Sequence, residues 1–449
     1  MLLLNAIVQF LSEPAFILGL VALVGLMVLR KSVSEVVTGT LKTVLGFLIF
    51  TAGAGIIVNA LIPFSTMFTA AFHLTGIVAE DNSLVAAVQI SLGTVTASIM
   101  VCSFLINVFL ARVTRYKYIF LTGHMMFSFA GTMAIVLDLM KISGWKAILI
   151  GSVIEGVSMV LFPALSQSSV RKVMNTDEAN ADTVAVGSVP NTETVAFGSV
   201  AKTDTVAFGF WGSSWISLWG WVGGKFGNKS ESTEDMKVPK SLGFLKDMAI
   251  LMSIVMLVLY VVTTFFVKAA DMAKISGGQN PYLFSVIQAL TFTAGILVLL
   301  QGVRMFLAEI VPAFKGISEK IVPGAIPALD VPVFYGYAPI AVTIGFLATL
   351  FGSLLVIPFS RWLPVTVLPS VIGLFFMGGA VGVFGNARGG RRGAIIGGIL
   401  FGITWTLMIA FAYPLINLSK YNISGLWFAS PDAIIVAVVM RLVGKLFGV

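Results

Sequence analysis

Charged side chains are scarce in this chain. Only 11% of its 449 residues are Asp, Glu, Lys or Arg, against 58% hydrophobic, whereas a soluble domain carries about 25% charged residues. So thin a set cannot cover a water-facing surface, which excludes a soluble globular protein. A mean hydropathy of +1.00 agrees. Cysteine is rarer still: the single Cys102 sits in an apolar run, has no partner for an intramolecular disulfide, and lies too deep for a reactive thiolate. There is no cluster with metal-ligand spacing, no Walker loop, no nucleophile–base arrangement and no channel-filter motif. The sequence therefore predicts no metal, no cofactor and no catalytic residue of its own. The N-terminus lacks a basic region before its first apolar run and shows no clear small-residue cleavage site. That run reads as a retained helix rather than a signal peptide.

What is present is a series of long apolar runs, repeatedly exceeding the roughly 20 residues that cross a bilayer as a helix. They do not alternate, which excludes an outer-membrane barrel. The pattern predicts an all-α polytopic membrane protein of about eleven spans, at 14–29, 41–62, 94–111, 119–140, 147–165, 248–267, 282–303, 338–359, 365–384, 393–416 and 433–447. This divides the chain into a first half of five spans (1–165), a polar middle segment (166–244) and a second half of six spans (245–449).

The net charge of +8 does not point to nucleic acid, because the basic residues are scattered through short polar connections. No Lys or Arg occurs between Lys42 and Arg112, whereas Arg112, Arg115 and Lys117 cluster in the next connection. Basic loops stay on the cytoplasmic side. The expected topology is therefore N-terminus out and C-terminus in, with segment 166–244 and Arg388, Arg391 and Arg392 inside.

The middle segment has two parts. Asp182-Thr-Val-Ala-Val-Gly-Ser-Val, Glu193-Thr-Val-Ala-Phe-Gly-Ser-Val and Asp204-Thr-Val-Ala-Phe-Gly-Phe repeat with a period of eleven and read as a locally duplicated loop. Trp211 to Trp221 then holds four tryptophans in a run too short to span. Tryptophan favours the bilayer interface, so the run is either a re-entrant hairpin or an interfacial helix. Lys225 to Lys240 reads as a solvated loop.

Two stretches look like copies of one plan. Phe50-Thr51-Ala52-Gly53 recurs as Phe292-Thr293-Ala294-Gly295, with phenylalanine fourteen and twenty-two residues further on in both copies. Each is then expected to break up, through Pro63 to Ser83 in one copy and through Pro312, Gly316, Pro323, Gly324 and Pro327 in the other, ending at Asp81 and Asp330. The charge-derived topology makes the copies antiparallel. Paired broken segments in inverted halves mark the midplane site of a transporter, so Asp81 and Asp330 are expected to approach one cavity from opposite sides. His124 and Ser128, four apart, share a helix face. The histidine is either a satisfied structural residue or, as an ionisable group inside a span, a functional one. Asp330 is either a helix N-cap or an acceptor for substrate hydroxyls. Arg304 and Glu309 either pair with each other or anchor the membrane edge.

The segments LTGHMMFSFAG (121–131), QGVRMFLAEIVPAFKGISEKIVPGAIPALD (301–330) and VFGNARGGRRGAI (383–395), with RKSV at 30–33 and ESTEDMKVP at 231–239, resemble the ascorbate-specific EIIC of the bacterial phosphotransferase system. The resemblance covers nearly the whole chain. It implies a homodimer of eleven-helix subunits in the inner membrane, each with a substrate-binding core, re-entrant hairpins and a V-shaped dimerisation domain. It also implies elevator-type transport of a sugar acid, phosphorylated by a separate cytoplasmic EIIB that EIIA supplies. The binding residues it carries over are His124, Met125, Met126, Phe127 and Ser128, with Asp330, and Asp81 and Asn82 in the first broken segment. Ser128 stands where the ascorbate proteins have glutamine. The nearest match to their Gly-His-Gln motif is Trp211-Gly212-Ser213, which places Gly212 and Ser213 in the site without the imidazole or the amide. The competing reading is an ion-coupled or uncoupled transporter of a polyol or sugar acid on the same scaffold.

Overall fold

The structure is a computed structural model that describes residues 14–72, 76–175, 206–236, 248–421, 423 and 425–446. It is mainly helical, and seven of the described helices are long and apolar enough to cross a membrane. Together with the composition this makes the chain an all-α polytopic membrane protein.

The helices fall into two packing groups. The first contains α1 (Pro14–Val28), α2 (Val33–Phe72), α7 (Met248–Phe266) and α9 (Pro281–Lys320), with the short α8 (Ala269–Ile275) beside them. The starts of α2 and α9 are set locally. Ser32 and Glu35 form a reciprocal capping box: the Ser32 N–H donates to Glu35 Oε2 at 3.0 Å and the Glu35 N–H to Ser32 Oγ at 3.3 Å. At α9, Asn280 Oδ1 accepts from the Tyr282 and Leu283 amides and Pro281 occupies the first turn, where its missing N–H costs nothing.

Both helices run further than their sequences predict. Pro63 and Pro312 lie inside continuous 40-residue helices, so the expected breaks come only after Phe72 and Lys320. A proline removes one backbone bond, and close packing on either side holds the α9 turns in place. A Cβ on Gly25 would lie 2.0 Å from the Ala313 carbonyl oxygen, and one on Gly316 would lie 2.2 Å from that of Gly25.

The duplication seen in the sequence is a physical contact. α2 and α9 cross antiparallel, with backbones so close that a Cβ on Gly53 would sit 2.3 Å from the Leu299 nitrogen and one on Gly295 2.9 Å from the Ile57 nitrogen. Shift Gly53 and Leu299 each by the spacing that separates Phe50 from Phe292, and they become Gly295 and Ile57. The two contacts are one contact seen twice, exchanged by an internal two-fold. Small residues let membrane helices approach this closely.

The second group contains α3 (Asp81–Val113), α4 (Gly123–Leu139), α5 (Gly144–Asn175), α6 (Ser213–Gly224), α10 (Pro339–Leu354), α11 (Val371–Ala412) and α12 (Pro431–Leu446). α11 is two helices joined at Gly389-Gly390, where Gly390 has φ +59°. The Trp-rich run resolves as α6, a 12-residue helix that buries one face on α11, where Gly220 meets Phe384 and Gly223 meets Gly393 and Gly397, and exposes Leu218 and Trp221 on the other.

Two three-stranded parallel sheets organise this group. One has the order β5-β1-β6, from Val367–Leu368, Ile77–Ala79 and Leu426–Trp427; the other has the order β2-β4-β3, from Tyr118–Phe120, Ile326–Leu329 and Ala207–Phe208. In the first sheet a central strand from the first half lies between two from the second; in the other a central strand from the second half lies between β2 of the first half and β3 of the middle segment. β3 is the Ala207-Phe208 of the third eleven-residue repeat, so that part of the copy is a sheet strand rather than a loop. The first two copies lie outside the described residues.

Candidate site at the strand tips

Each strand ends just before a helix start, so a sheet gathers three helix beginnings and their polar side chains. At the tip of β4, Asp330 caps the following 3₁₀ turn, its Oδ1 accepting from the Val331 N–H at 2.7 Å. Its other oxygen lies 3.4 Å from His124 Nε2, which the neighbouring strand β2 places at the start of α4. The cap expected of Asp330 is present, and its second oxygen faces the imidazole. His124 is the most open member, with its side chain 37% exposed against 16% for Asp330.

Of the other residues expected in this stretch, Phe127 is half-buried, while Met125, Met126 and Ser128 are buried. The Met125 carbonyl accepts from Trp211 Nε1 at 2.6 Å. The Trp211 indole lies against Phe120 and Phe129, with centroids at 4.5 and 4.3 Å. Trp211 thereby fixes the α4 start, a role that the sequence does not announce.

Gly212 and Ser213 begin α6. A Cβ on Gly212 would lie 2.9 Å from the Phe210 ring and 3.1 Å from Pro431, so an imidazole there would have to displace its neighbours. The buried hydroxyls of Ser213 and Thr122 make no hydrogen bond among the described residues.

At the other sheet Asp81 is fully occupied. Its carboxylate accepts from the Ala429 N–H (2.8 Å), the Ser430 N–H (3.0 Å) and the Ser430 hydroxyl (2.5 Å). Asn82 is the next residue of α3. Asp432 does a similar job across the halves: its carboxylate accepts from the Ser214 amide (3.2 Å) and hydroxyl, and its own N–H donates to the Trp211 carbonyl at 3.1 Å. Trp211-Gly212 and Ser430-Pro431-Asp432 thus meet and join the two halves. The Ser-Pro-Asp run is a legible helix start, but its distant partners are not.

Loop 225–236 lies over the kink of α11 and the start of α10. The Glu234 carboxylate accepts from the Ile340 and Ala341 amides at 3.2 and 3.0 Å, and burial pushes its carboxyl up against these stabilising bonds. Asn386 Oδ1 accepts from the Thr233 N–H at 2.9 Å, and Arg391 pairs with Glu231 at 3.1 Å. On the other packing group, Glu309 pairs with Lys42 of α2 at 3.5 Å rather than with Arg304, which is exposed.

A family model, EIIC-GAT, described as the PTS system sugar-specific permease component, matches residues 9–202 and 183–432. The chain is also 29% identical over 476 aligned positions to the ascorbate-specific PTS system EIIC component of Mycoplasma pneumoniae, an alignment that takes in 93% of this chain and 67% of that protein.

Proposed function

Since the chain belongs to the EIIC-GAT family of phosphotransferase-system sugar-specific permeases, we propose that it carries an ascorbate-like sugar acid across the membrane by an elevator movement. A partner EIIB, recharged by EIIA, phosphorylates the solute. The observation that carries this reading is the Asp330–His124 pair at 3.4 Å. A carboxylate accepts hydrogen bonds from solute hydroxyls and an imidazole donates or accepts, which suits a polyhydroxylated molecule.

In this reading the second packing group moves with the solute against the first, which also supplies the homodimer contact. The N-terminus lies outside and the C-terminus inside. Asp81 and Asn82 sit at the opposite tip and shape the site from there. The phosphoryl group leaves the sulfur of a phosphocysteine on EIIB for a solute hydroxyl, which gives up its proton. Cys102 lies within α3 and takes no part.

The relative's name favours ascorbate, whereas the crowding at Gly212 and the buried Ser128 favour a solute with other polar groups, such as a polyol. The deciding experiment is uptake of labelled L-ascorbate and of hexitols into vesicles containing this protein, with and without EIIB, EIIA and a phosphoryl donor. Phosphorylated product inside the vesicles supports the proposal. Uptake that needs no donor and dissipates a proton gradient sinks it in favour of an ion-coupled transporter.

A further inference from the structure

We propose that Glu155 is a proton-binding site within the membrane. Its carboxyl is held as the neutral acid, donates a hydrogen bond to the Ser103 hydroxyl, and so clasps α5 to α3.

Glu155 lies inside α5, in a stretch long and apolar enough to cross the bilayer, and it is fully buried. The contact with α3 around it is close. Ser152 Oγ donates to the Ile99 carbonyl at 3.4 Å, and a Cβ on Gly156 would lie 2.6 Å from Ile106 Cγ2 and 3.0 Å from the Ser103 carbonyl oxygen. The Glu155 carboxyl faces the Ser103 side chain. A carboxylate only accepts hydrogen bonds, and neither Glu155 oxygen finds a partner among the described residues.

No cation among the described residues supplies what is missing. Within α5 the nearest is Lys146, nine residues away, or about 14 Å along the helix at 1.5 Å per residue; Arg171 and Lys172 lie further off. On α3 the charged residues are Asp81 at its start and Arg112, nine residues beyond Ser103. α4 has His124 at its start and Asp138 near its end, and α6, β2 and β3 have no charged residue. On α11, Arg388 is held at the Ser169 hydroxyl at 3.0 Å, fourteen residues along α5 from Glu155. The 3₁₀ turn after Asp330 brings only Tyr335 and Tyr337, and the Tyr335 hydroxyl donates to the Phe376 carbonyl at 2.8 Å. A bare carboxylate in this setting is an uncompensated buried charge, which a bound proton removes.

The protons at Ser103 point the same way. Its hydroxyl donates to the Met100 carbonyl at 2.9 Å, so it turns a lone pair to Glu155. Two acceptors face to face do not bond, whereas a carboxylic acid has an O–H to give. The chain Glu155 to Ser103 to Met100 then leaves each donor with an acceptor. This bond lies where the site is held. One turn past Ser103, Asn107 grips β2, its Nδ2 donating to the Tyr118 carbonyl at 3.0 Å and its Oδ1 accepting from the Phe120 N–H at 2.9 Å. On α5, Gln167 Nε2 donates to the Val206 carbonyl at 3.2 Å, next to β3. The bound proton therefore ties together the two helices that hold the flanking strands of the Asp330–His124 sheet.

Infrared spectra of the purified protein at neutral pH test the assignment, read as the difference between wild type and Glu155→Gln. A protonated-carboxyl C=O band is expected in the wild type and not in the variant. Ser103→Ala, which removes the acceptor, is expected to move that band to higher frequency. A difference spectrum with carboxylate bands alone overturns the inference, and so does a band that Ser103→Ala leaves in place. The glutamine amide can donate to Ser103 as the acid does. Glu155→Gln is therefore expected to keep the monodisperse size-exclusion peak and the unfolding temperature. A glutamine variant that aggregates or unfolds several degrees earlier shows that a charge holds α5 to α3, which also overturns the inference.

Discussion

His124 Nε2 stands 3.4 Å from the Asp330 carboxylate, and the two residues follow neighbouring strands, β2 and β4, paired in parallel through Tyr118–Ile326, Ile119–Pro327 and Phe120–Ala328. Strand pairing, rather than helix packing, brings the imidazole of one half to the acid of the other. Asp330→Asn keeps the volume and the cap on Val331 but removes the charge. A hydrogen bond to a charged group contributes about 1.5–3 kcal/mol, so this variant is expected to bind solute roughly ten- to a hundredfold more weakly with its thermal unfolding little changed. Calorimetric titration with L-ascorbate checks this, and wild-type affinity would remove Asp330 from the site.

Asp81 behaves differently because its partners belong to the fold. Asp81→Ala leaves the Ala429 and Ser430 amides without their acceptor, at about 1–3 kcal/mol for each buried group left unsatisfied. Its unfolding temperature in detergent should fall by several degrees. Ser430→Ala removes only one of the three bonds and should cost less than half as much. Equal effects from the two variants would contradict the arrangement.

The crossing of α2 and α9 leaves no room for a side chain at Gly53. Overpacking a filled core costs about 1–3 kcal/mol, and here the obstacle is the Leu299 backbone at 2.3 Å rather than a side chain that can rotate. Gly53→Leu is expected to lose the monodisperse peak in size-exclusion chromatography. Gly55→Leu, where an added Cβ meets nothing within 4 Å, should keep it.

Glu234 gives a pH dependence of known sign. Burial raises its carboxyl above the ordinary value of 4.5, so the folded protein holds that proton more tightly than the unfolded chain does. Its contribution to stability is then greatest at low pH and is lost as pH rises through the raised value. Relative to Glu234→Gln, the wild type should become less stable as pH climbs above the ordinary glutamate range. Melting curves of both proteins across that interval check it, and parallel curves would contradict it.

The helices were legible because each apolar run is long, and the α2–α9 relationship because Phe-Thr-Ala-Gly is spelled twice. The six strands were not, because pieces of two to four residues carry no periodicity and are defined only by partners far along the chain. Asp330 could be picked out as a lone acid ending a Gly/Pro-rich stretch. Asp81 was picked out by the same logic, but its engagement by Ala429 and Ser430 could not be read, because those residues lie in the other half. Trp211 read as an interfacial aromatic and is instead a buried hydrogen-bond donor to Met125. Continuation of α9 past Pro312 goes with the contacts of Gly25 and Gly316, which only the packed structure displays.

The exchange of strands between the halves also sets an order of assembly during synthesis. When β1 leaves the ribosome, neither neighbour exists, and its sheet cannot close until Trp427 has been made. The β2–β4–β3 sheet is available earlier, as soon as Leu329 emerges. The Asp330 tip therefore forms first and the Glu80–Asp81 tip last. Until then Asp81 remains an uncapped acid in a nascent membrane protein. A chain truncated before residue 426 should hold one finished sheet and one in which β1, paired with β5 alone, leaves its other edge open, the kind of exposed edge that quality-control proteases and insertion chaperones recognise.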